Sequence, residues 1–276
     1  MQSERDKAKG FYSFRADANA LGGFLVKPFR KPIPTLAPVS LPAAGGFAMA
    51  RSEAFTLDNI VSCSSAYSRV SGQEDDDGSI SILVTAVVEG LNLLEVLEAE
   101  RVVAQLSILI PPDRKQLKVS TAGSRFEGLR LAGRPRDPHS SQGLQDRENE
   151  RDEQGRAQGA TAAHLWEIGK EQAARVTNAF AGRQNAAWAE NRFKWMQKDA
   201  ATNTSALCSL VDGFGTDGPE HCGHVVEIPG LGRFFFGELL LTPNSVQLVS
   251  IRAELGCPVT GTVTINCAGG GGVGNY

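Results

Sequence analysis

Apolar and polar residues alternate with a period of two along much of this chain. Residues 79–89 place Ile80, Ile82, Val84, Ala86 and Val88 on one side and Ser79, Ser81, Thr85 and Glu89 on the other. Residues 102–110 repeat the device with Val102, Ala104, Leu106, Ile108 and Ile110, before Pro111-Pro112 stop the run. Successive side chains of a strand point to opposite faces, so both segments predict β-strands with one buried face. Residues 57–70 alternate more weakly. The acidic link Gln73-Glu74-Asp75-Asp76-Asp77-Gly78 then reads as a hairpin connection into the Ile80 strand. Residues 27–43 carry Pro28, Pro32, Pro34, Pro38 and Pro42. Proline cannot donate to a ladder, so this stretch predicts an extended edge or a surface crossing.

The pattern changes after Gly133. Residues 134–160 hold almost no large apolar side chain, and residues 145–156 mix acidic and basic groups, which predicts a flexible charged linker. From 161 to 199 the period becomes helical: Leu165, Ile168, Ala173, Val176 and Phe180 recur at spacings of three to five, and Gly182 marks a break between two helices. Trp166, Trp188 and Trp195 all lie here, and the seven-residue spacing of the last two puts them on one helix face. Strand patterns return at Ala206. Residues 233–241 form a dense apolar run, in which Arg233 beside Phe234-Phe235-Phe236 reads as a strand end entering a core and not as a cation–π site. Residues 247–255 and 262–267 alternate again, and Gly269 to Tyr276 read as a flexible tail. The plan is a mainly β fold, antiparallel and sandwich- or barrel-like, with an α-helical insert. A β-rich segment at 11–133 is followed by the linker at 134–160, the helical insert at 161–199, and a second β-rich segment at 206–268 that completes the same core. No interval repeats cleanly, although Val88-Glu89-Gly90-Leu91 and Phe126-Glu127-Gly128-Leu129 echo each other.

At 276 residues the chain is long enough to bury a large core. Twenty-eight Lys and Arg against 31 Asp and Glu leave a formal charge of −3. That balance argues against a nucleic-acid binder driven by a basic face, and against capture by an anionic membrane surface. No apolar run approaches the roughly 18 residues of a membrane span, and Met1 to Lys7 lack the apolar stretch of a signal peptide. Cys63, Cys208, Cys222, Cys257 and Cys267 are odd in number and irregular in spacing, which does not read as a disulfide framework. Reduced thiols in a cytoplasmic protein are the expectation.

Four segments carry a resemblance: residues 83–92 (LVTAVVEGLN), 99–107 (AERVVAQLS), 123–133 (GSRFEGLRLAG) and 250–261 (SIRAELGCPVTG). Together they resemble an uncharacterised group of bacterial β-rich hypothetical proteins with no known activity. The resemblance covers residues 11–133 and 206–268 and implies a fold and a bacterial origin. It carries no catalytic residues.

Chemistry has few candidates. His221-Cys222-Gly223-His224, with Cys208 upstream, offers the imidazole and thiolate ligands that zinc prefers; His221 and His224 would converge across a turn at Asp217-Gly218-Pro219, with Cys208, Cys257 or Cys267 completing the set through the fold. No CxxC pair or HExxH motif accompanies them, so a polar turn is the preferred reading and zinc the alternative to no cofactor. Cys222 between two histidines also suggests an activated thiol, but neighbours on a strand face opposite ways. The acidic loop 74–78 lacks the spacing of a calcium loop and reads as a hydrated hairpin tip. The glycines 269–272 precede no helix, so they form no phosphate cradle. Trp188 and Trp195 suggest a stacking platform for a ligand, with core anchoring as the plainer reading. The sequence therefore favours a non-enzymatic binding or self-assembly protein that joins a protein partner or itself as a homo-oligomer through exposed strand edges, without nucleic acid or membrane. The alternative is a metal-dependent or Cys/His enzyme built on the His221–His224 cluster.

Overall fold

The computed structural model describes residues 12–113, 116–151, 159–183, 187–197, 205–215 and 221–274. The first half of the chain forms β1 (Tyr12–Lys27), β2 (Lys31–Leu36), β3 (Val39–Ser40), β4 (Gly46–Ser52), β5 (Phe55–Leu57), β6 (Val61–Cys63), β7 (Ser65–Glu74), β8 (Ile80–Leu93) and β9 (Leu97–Ile110). Short strands come after it: β10 (Lys118–Ser120), β11 (Arg125–Glu127), β12 (Arg130–Leu131), β13 (Arg134–Pro135) and β14 (His139–Ser140). Next come α1 (Gln142–Asn149), α2 (Ala162–Phe180), α3 (Ala187–Phe193) and a 3-10 turn at Lys194–Gln197. The chain closes with β15 (Ala206–Ser209), β16 (Val211–Gly213), β17 (His221–Cys222), β18 (Val225–Ile228), β19 (Gly232–Thr242), β20 (Ser245–Leu255) and β21 (Thr260–Gly274).

The strands make two large antiparallel sheets that do not close into a barrel. In the first the order is β17-β18-β19-β20-β21-β1-β2, with β15 also on β19 and β3 on β1. In the second it is β13-β12-β9-β8-β6-β5, with β7 bridging β8 to β4 and with β10 and β11 on β9. The sheets pack face to face, β1 and β21 lying over β7, β8 and β9, so the fold is a sandwich. The alternation expected from the sequence is what fills it: Ile80, Ile82, Val84, Ala86 and Val88 are buried on β8, and Val102, Ala104, Leu106 and Ile108 on β9. The acidic link joins β7 to β8 as a hairpin, Glu74 opposite Ile80. The proline-rich stretch supplies β2 at one end of the first sheet.

A row of kinks crosses the sandwich and divides its core into two clusters. Along β20 the buried apolar positions are Val246 and Leu248, then Ile251, Ala253 and Leu255, so the inward parity reverses around Ser250. The registers Phe236↔Ile251, Glu238↔Val249, Ile251↔Ile265 and Val249↔Cys267 place Gly237 and Asn266 on either side of Ser250. Gly237 has φ +64° and Asn266 φ +51°, a backbone region that glycine and, among side-chain residues, asparagine tolerate best. Asn266 uses its position: its buried Nδ2 donates to the Val102 carbonyl of the facing sheet at 2.7 Å.

Two local expectations are corrected. Residues 269–274 are no loose tail; they are the last part of β21, paired with β1 on one side and, up to Gly271, with β20 on the other. Glycine reads as freedom in sequence, but here it permits close approach. A Cβ on Gly270 would meet Ile108 Cδ1 at 2.7 Å, and one on Gly271 would collide with the Asn244 carbonyl oxygen. Within the stretch expected as a charged linker, residues 142–149 form α1, whose Glu148 carboxylate accepts hydrogen bonds from Thr121 N–H at 2.7 Å and Thr121 Oγ1 at 2.9 Å. Residues 152–158, and residues 198–199 at the end of the helical stretch, lie outside the described residues. The helices otherwise keep to the sequence pattern. Leu165, Ala173, Val176 and Phe180 are the buried stripe of α2, which packs on β15, and the helix ends just before Gly182.

Replacing Gly271 with Val is therefore expected to lower stability by about 1–3 kcal/mol through overpacking against a backbone oxygen. Urea denaturation of the full chain reads this directly, and an unchanged midpoint would restore the loose-tail reading.

Candidate functional site

The kink at Gly237 turns Glu238 onto the face of β19 that already carries Phe235, the outer face, beneath the helices. Arg252 on β20 is the register partner of Phe235 and shares that face, and α3 lays Arg192 across the top. Arg192 Nη2 stands 2.6 Å from Glu238 Oε1, while Arg252 Nε donates to Oε2 at 3.1 Å. The two guanidinium groups flank the Phe235 ring at 4.6 and 4.4 Å from its centre. Glu238 is 7% exposed, Arg192 22% and Arg252 21%, so this is a charge triad with a buried carboxylate between two partly exposed guanidinium groups. Such a triad costs desolvation and holds only when every partner stays in position; the Arg–aromatic contacts offset part of that cost.

The network continues outward. Arg252 also pairs with Glu254 at 3.1 Å, and Arg233 pairs with Glu227 at 3.1 Å. Arg233 does stand at the start of β19, as expected, but its guanidinium lies 4.5 Å over the Trp188 ring, so the reading that it makes no cation–π contact is corrected. A strand end beside three phenylalanines carries no sequence trace of a tryptophan brought in from a helix. A cleft of about 580 Å³ opens beside this line and is bordered by Glu227, Arg233 and Glu254, three charges already committed to the network.

His224 sits under the triad in the turn between β17 and β18, where its carbonyl accepts the Phe236 N–H at 3.0 Å. Its ring is buried edge-on to Phe193, and Nε2 is 3.9 Å from Glu238 Oε1, too far for a hydrogen bond. Neither ring nitrogen has a hydrogen-bond partner among the described residues. Burial pushes the imidazole pKa down to about 4; Glu238 opposes the shift, and Arg192, Arg252 and Arg175 add to it. The ring is thus neutral at pH 7. Both Glu238 oxygens are taken by guanidinium donors, which leaves no free base beside it. The arrangement clamps α3 to the sheet.

The other candidates from the sequence scatter. Cys208 lies buried on β15 opposite Leu239, its thiol pushed up to about 12 by burial, unfavourable for a thiolate ligand. His221 and Cys222 lie on β17 opposite Val226 and Val225, and the Cys222 thiol donates to the Arg175 carbonyl at 3.7 Å. Among the described residues no three His, Cys, Asp or Glu side chains gather as a metal-binding group. The turn expected at Asp217-Gly218-Pro219 lies outside the described residues. Trp188 and Trp195 do not share one helix: α3 ends at Phe193, and Trp195 belongs to the 3-10 turn. Trp188 packs edge-on to Phe180 at 5.1 Å and Phe235 at 5.8 Å, while Trp195 packs on Trp166 at 6.4 Å. In the acidic loop, Asp75 accepts hydrogen bonds from Ser81, Gln73 and Ser79, and Asp77 from Ser79, as a hairpin tip does. The five cysteines are free thiols.

A second feature escaped the sequence reading. Among the described residues β4 pairs with β7 alone and forms an open edge of the second sheet. Ala48 and Ala50 face the core, whereas Phe47 is 62% and Met49 61% exposed. The alternation Phe47-Ala48-Met49-Ala50 after Gly45-Gly46 was the available signal. For the triad the signal was Glu238, the one charge in the apolar run that begins after Arg233.

Residues 11–242 match a domain of unknown function, DUF8256. The chain belongs to that family. The matched segment contains β4, Arg192, His224 and Glu238 and stops at the end of β19, so Arg252 lies beyond it. No curated protein and no solved structure matches the chain. No helix among the described residues is long and apolar enough to cross a membrane.

His224 gives a pH signature. Unfolded, its imidazole titrates near 6.5; folded, near 4. Between those values the unfolded chain binds a proton that the folded one refuses, so this contribution to stability is intact above pH 6.5 and is lost as pH falls toward 4. The His224→Phe variant is expected to show a flatter fall in denaturation free energy across that window, by a few kcal/mol at its lower end. Parallel curves for the two proteins would contradict a buried neutral imidazole.

Proposed function

We propose that this chain is a non-enzymatic binding and assembly protein that joins protein partners, copies of itself included, by strand addition at β4. The observation that carries the reading is the contrast between its sheet edges. Natural sheets blunt their edges with proline, charge or short strands, because an open edge is a template for another chain. Here β2 carries Pro32 and Pro34, and β3, β5, β10, β11, β12, β13, β15 and β17 have four residues or fewer. β4 has seven residues, no proline, a single charge at Arg51, and two large apolar side chains in solvent. The clamp supports the same reading from the other side, since its charges are spent on one another.

Light scattering on a sizing column, with negative-stain images of the same peak, tests assembly. The expected result is a defined species heavier than the 29.4 kDa chain, which shifts toward the monomer when Met49→Glu puts a charge on the edge. Met49 is exposed, so that substitution leaves the folded monomer intact. An assembly indifferent to Met49→Glu would contradict strand addition at β4.

A further inference from the structure

We propose that the strand added at β4 is β4 of a second copy, paired antiparallel with Met49 on the two-fold axis. This rests on the reading of β4 as the interaction edge and specifies its occupant. A two-fold axis makes an interface self-complementary, so residue i of one copy meets residue j of the other, and j meets i. With Met49 opposite itself, Phe47 falls opposite Arg51 of the second copy, Ala48 opposite Ala50, and Gly46 opposite Ser52. Every pair is then compatible. The one charge on the strand, Arg51, meets the one aromatic ring, Phe47, and each does so twice.

The neighbouring strand fits the same register. On β7, Tyr67 stands opposite Arg51, Arg69 opposite Met49, and Ser71 opposite Phe47. Pairing would therefore place each Arg51 between Tyr67 of its own copy and Phe47 of the other, while small Ser71 leaves room beside the phenylalanine. Without that pairing Phe47 and Met49 stay in water. An unrelated apolar strand would cover both but would leave Arg51 with no aromatic partner across the edge. The strand carries no acidic residue, so two copies meet without an ion pair to fix the register. The Phe47–Arg51 contacts fix it instead.

Cysteine cross-linking reads both the partner and the register. The background is Cys257→Ser, because Cys257 is the exposed native thiol while Cys63, Cys208, Cys222 and Cys267 are buried. Directly opposed residues of an antiparallel pair have the Cα separation a disulfide needs. Under mild oxidation Met49→Cys is expected to give a covalent dimer by itself. Phe47→Cys and Arg51→Cys are expected to form no covalent dimer singly and to cross-link when mixed. In equilibrium measurements Met49→Glu is expected to weaken self-association roughly tenfold or more, since it sets two carboxylates face to face. Cross-linking of Phe47→Cys with itself would mean a parallel or shifted pairing and would overturn the register while leaving β4 as the edge. A protein that is monomeric at every concentration and gives no cross-link would overturn self-pairing. An oligomer unaffected by any of these substitutions would overturn the use of β4 altogether.

Discussion

Gly237 sits between two phenylalanines that enter the sandwich, Phe234 and Phe236, and a glutamate that must not. With strict alternation along β19, Glu238 would come after Phe236 into the apolar space between the sheets, where an ionised carboxylate is held at a cost of several kcal/mol. The left-handed backbone at Gly237 and at Asn266, two strands away, reverses the parity of the whole row. Leu239 and Leu241 take the inward positions, and Glu238 turns out beside Phe235. An alanine at 237 would be strained there, because its Cβ would also stand 2.9 Å from Leu210 Cβ. The same kinks separate the two core clusters, and Asn266 ties the two sheets together by reaching Val102 on the facing one.

That row of kinks makes the two sheets unlike each other. The outer face of the first sheet holds a carboxylate, and two arginines, Phe235 and Trp188 collect around it to seat α3. Helices therefore cover that face near β15 and β17, whereas Phe24 and Val26 on β1 of the same sheet stay exposed. On the second sheet the apolar residues Phe47 and Met49 of β4 stay in solvent. An edge strand with unpaired backbone and exposed apolar side chains is a place where the free energy of the monomer is improved by another chain.

Much of the architecture was legible because alternation is a local signal. The inward positions from Ile80 to Val88 and from Val102 to Ile108 could be read one residue at a time, and so could the helical stripe from Leu165 to Phe180. The sandwich itself results from two such blocks sharing a core. The features that could not be read depend on neighbours distant in the chain. Glycines 269–272 look loose until β1 and, up to Gly271, β20 flank them, and Arg233 at its strand end shows no cation–π contact until Trp188 arrives from α3. Glu238, Arg192 and Arg252 are separated by up to 60 positions, and only the register of β19 with β20 brings the strand pair together. The histidine and cysteine residues show the opposite relation. Residues adjacent in sequence, His221 to His224, are spread over a two-residue strand and a turn, and proximity in the chain did not become convergence in space.

If β4 is the working edge of this protein, the backbone amides that point away from β7 are paired whenever copies meet. Hydrogen–deuterium exchange of the full chain at a series of protein concentrations tests this most directly, because an edge amide that faces solvent exchanges freely and one in a ladder does not. Pairing requires protection of residues 46–52 to rise with concentration while the central strands β8 and β20 stay constant. Exchange in that segment that is fast and identical at every concentration would contradict it.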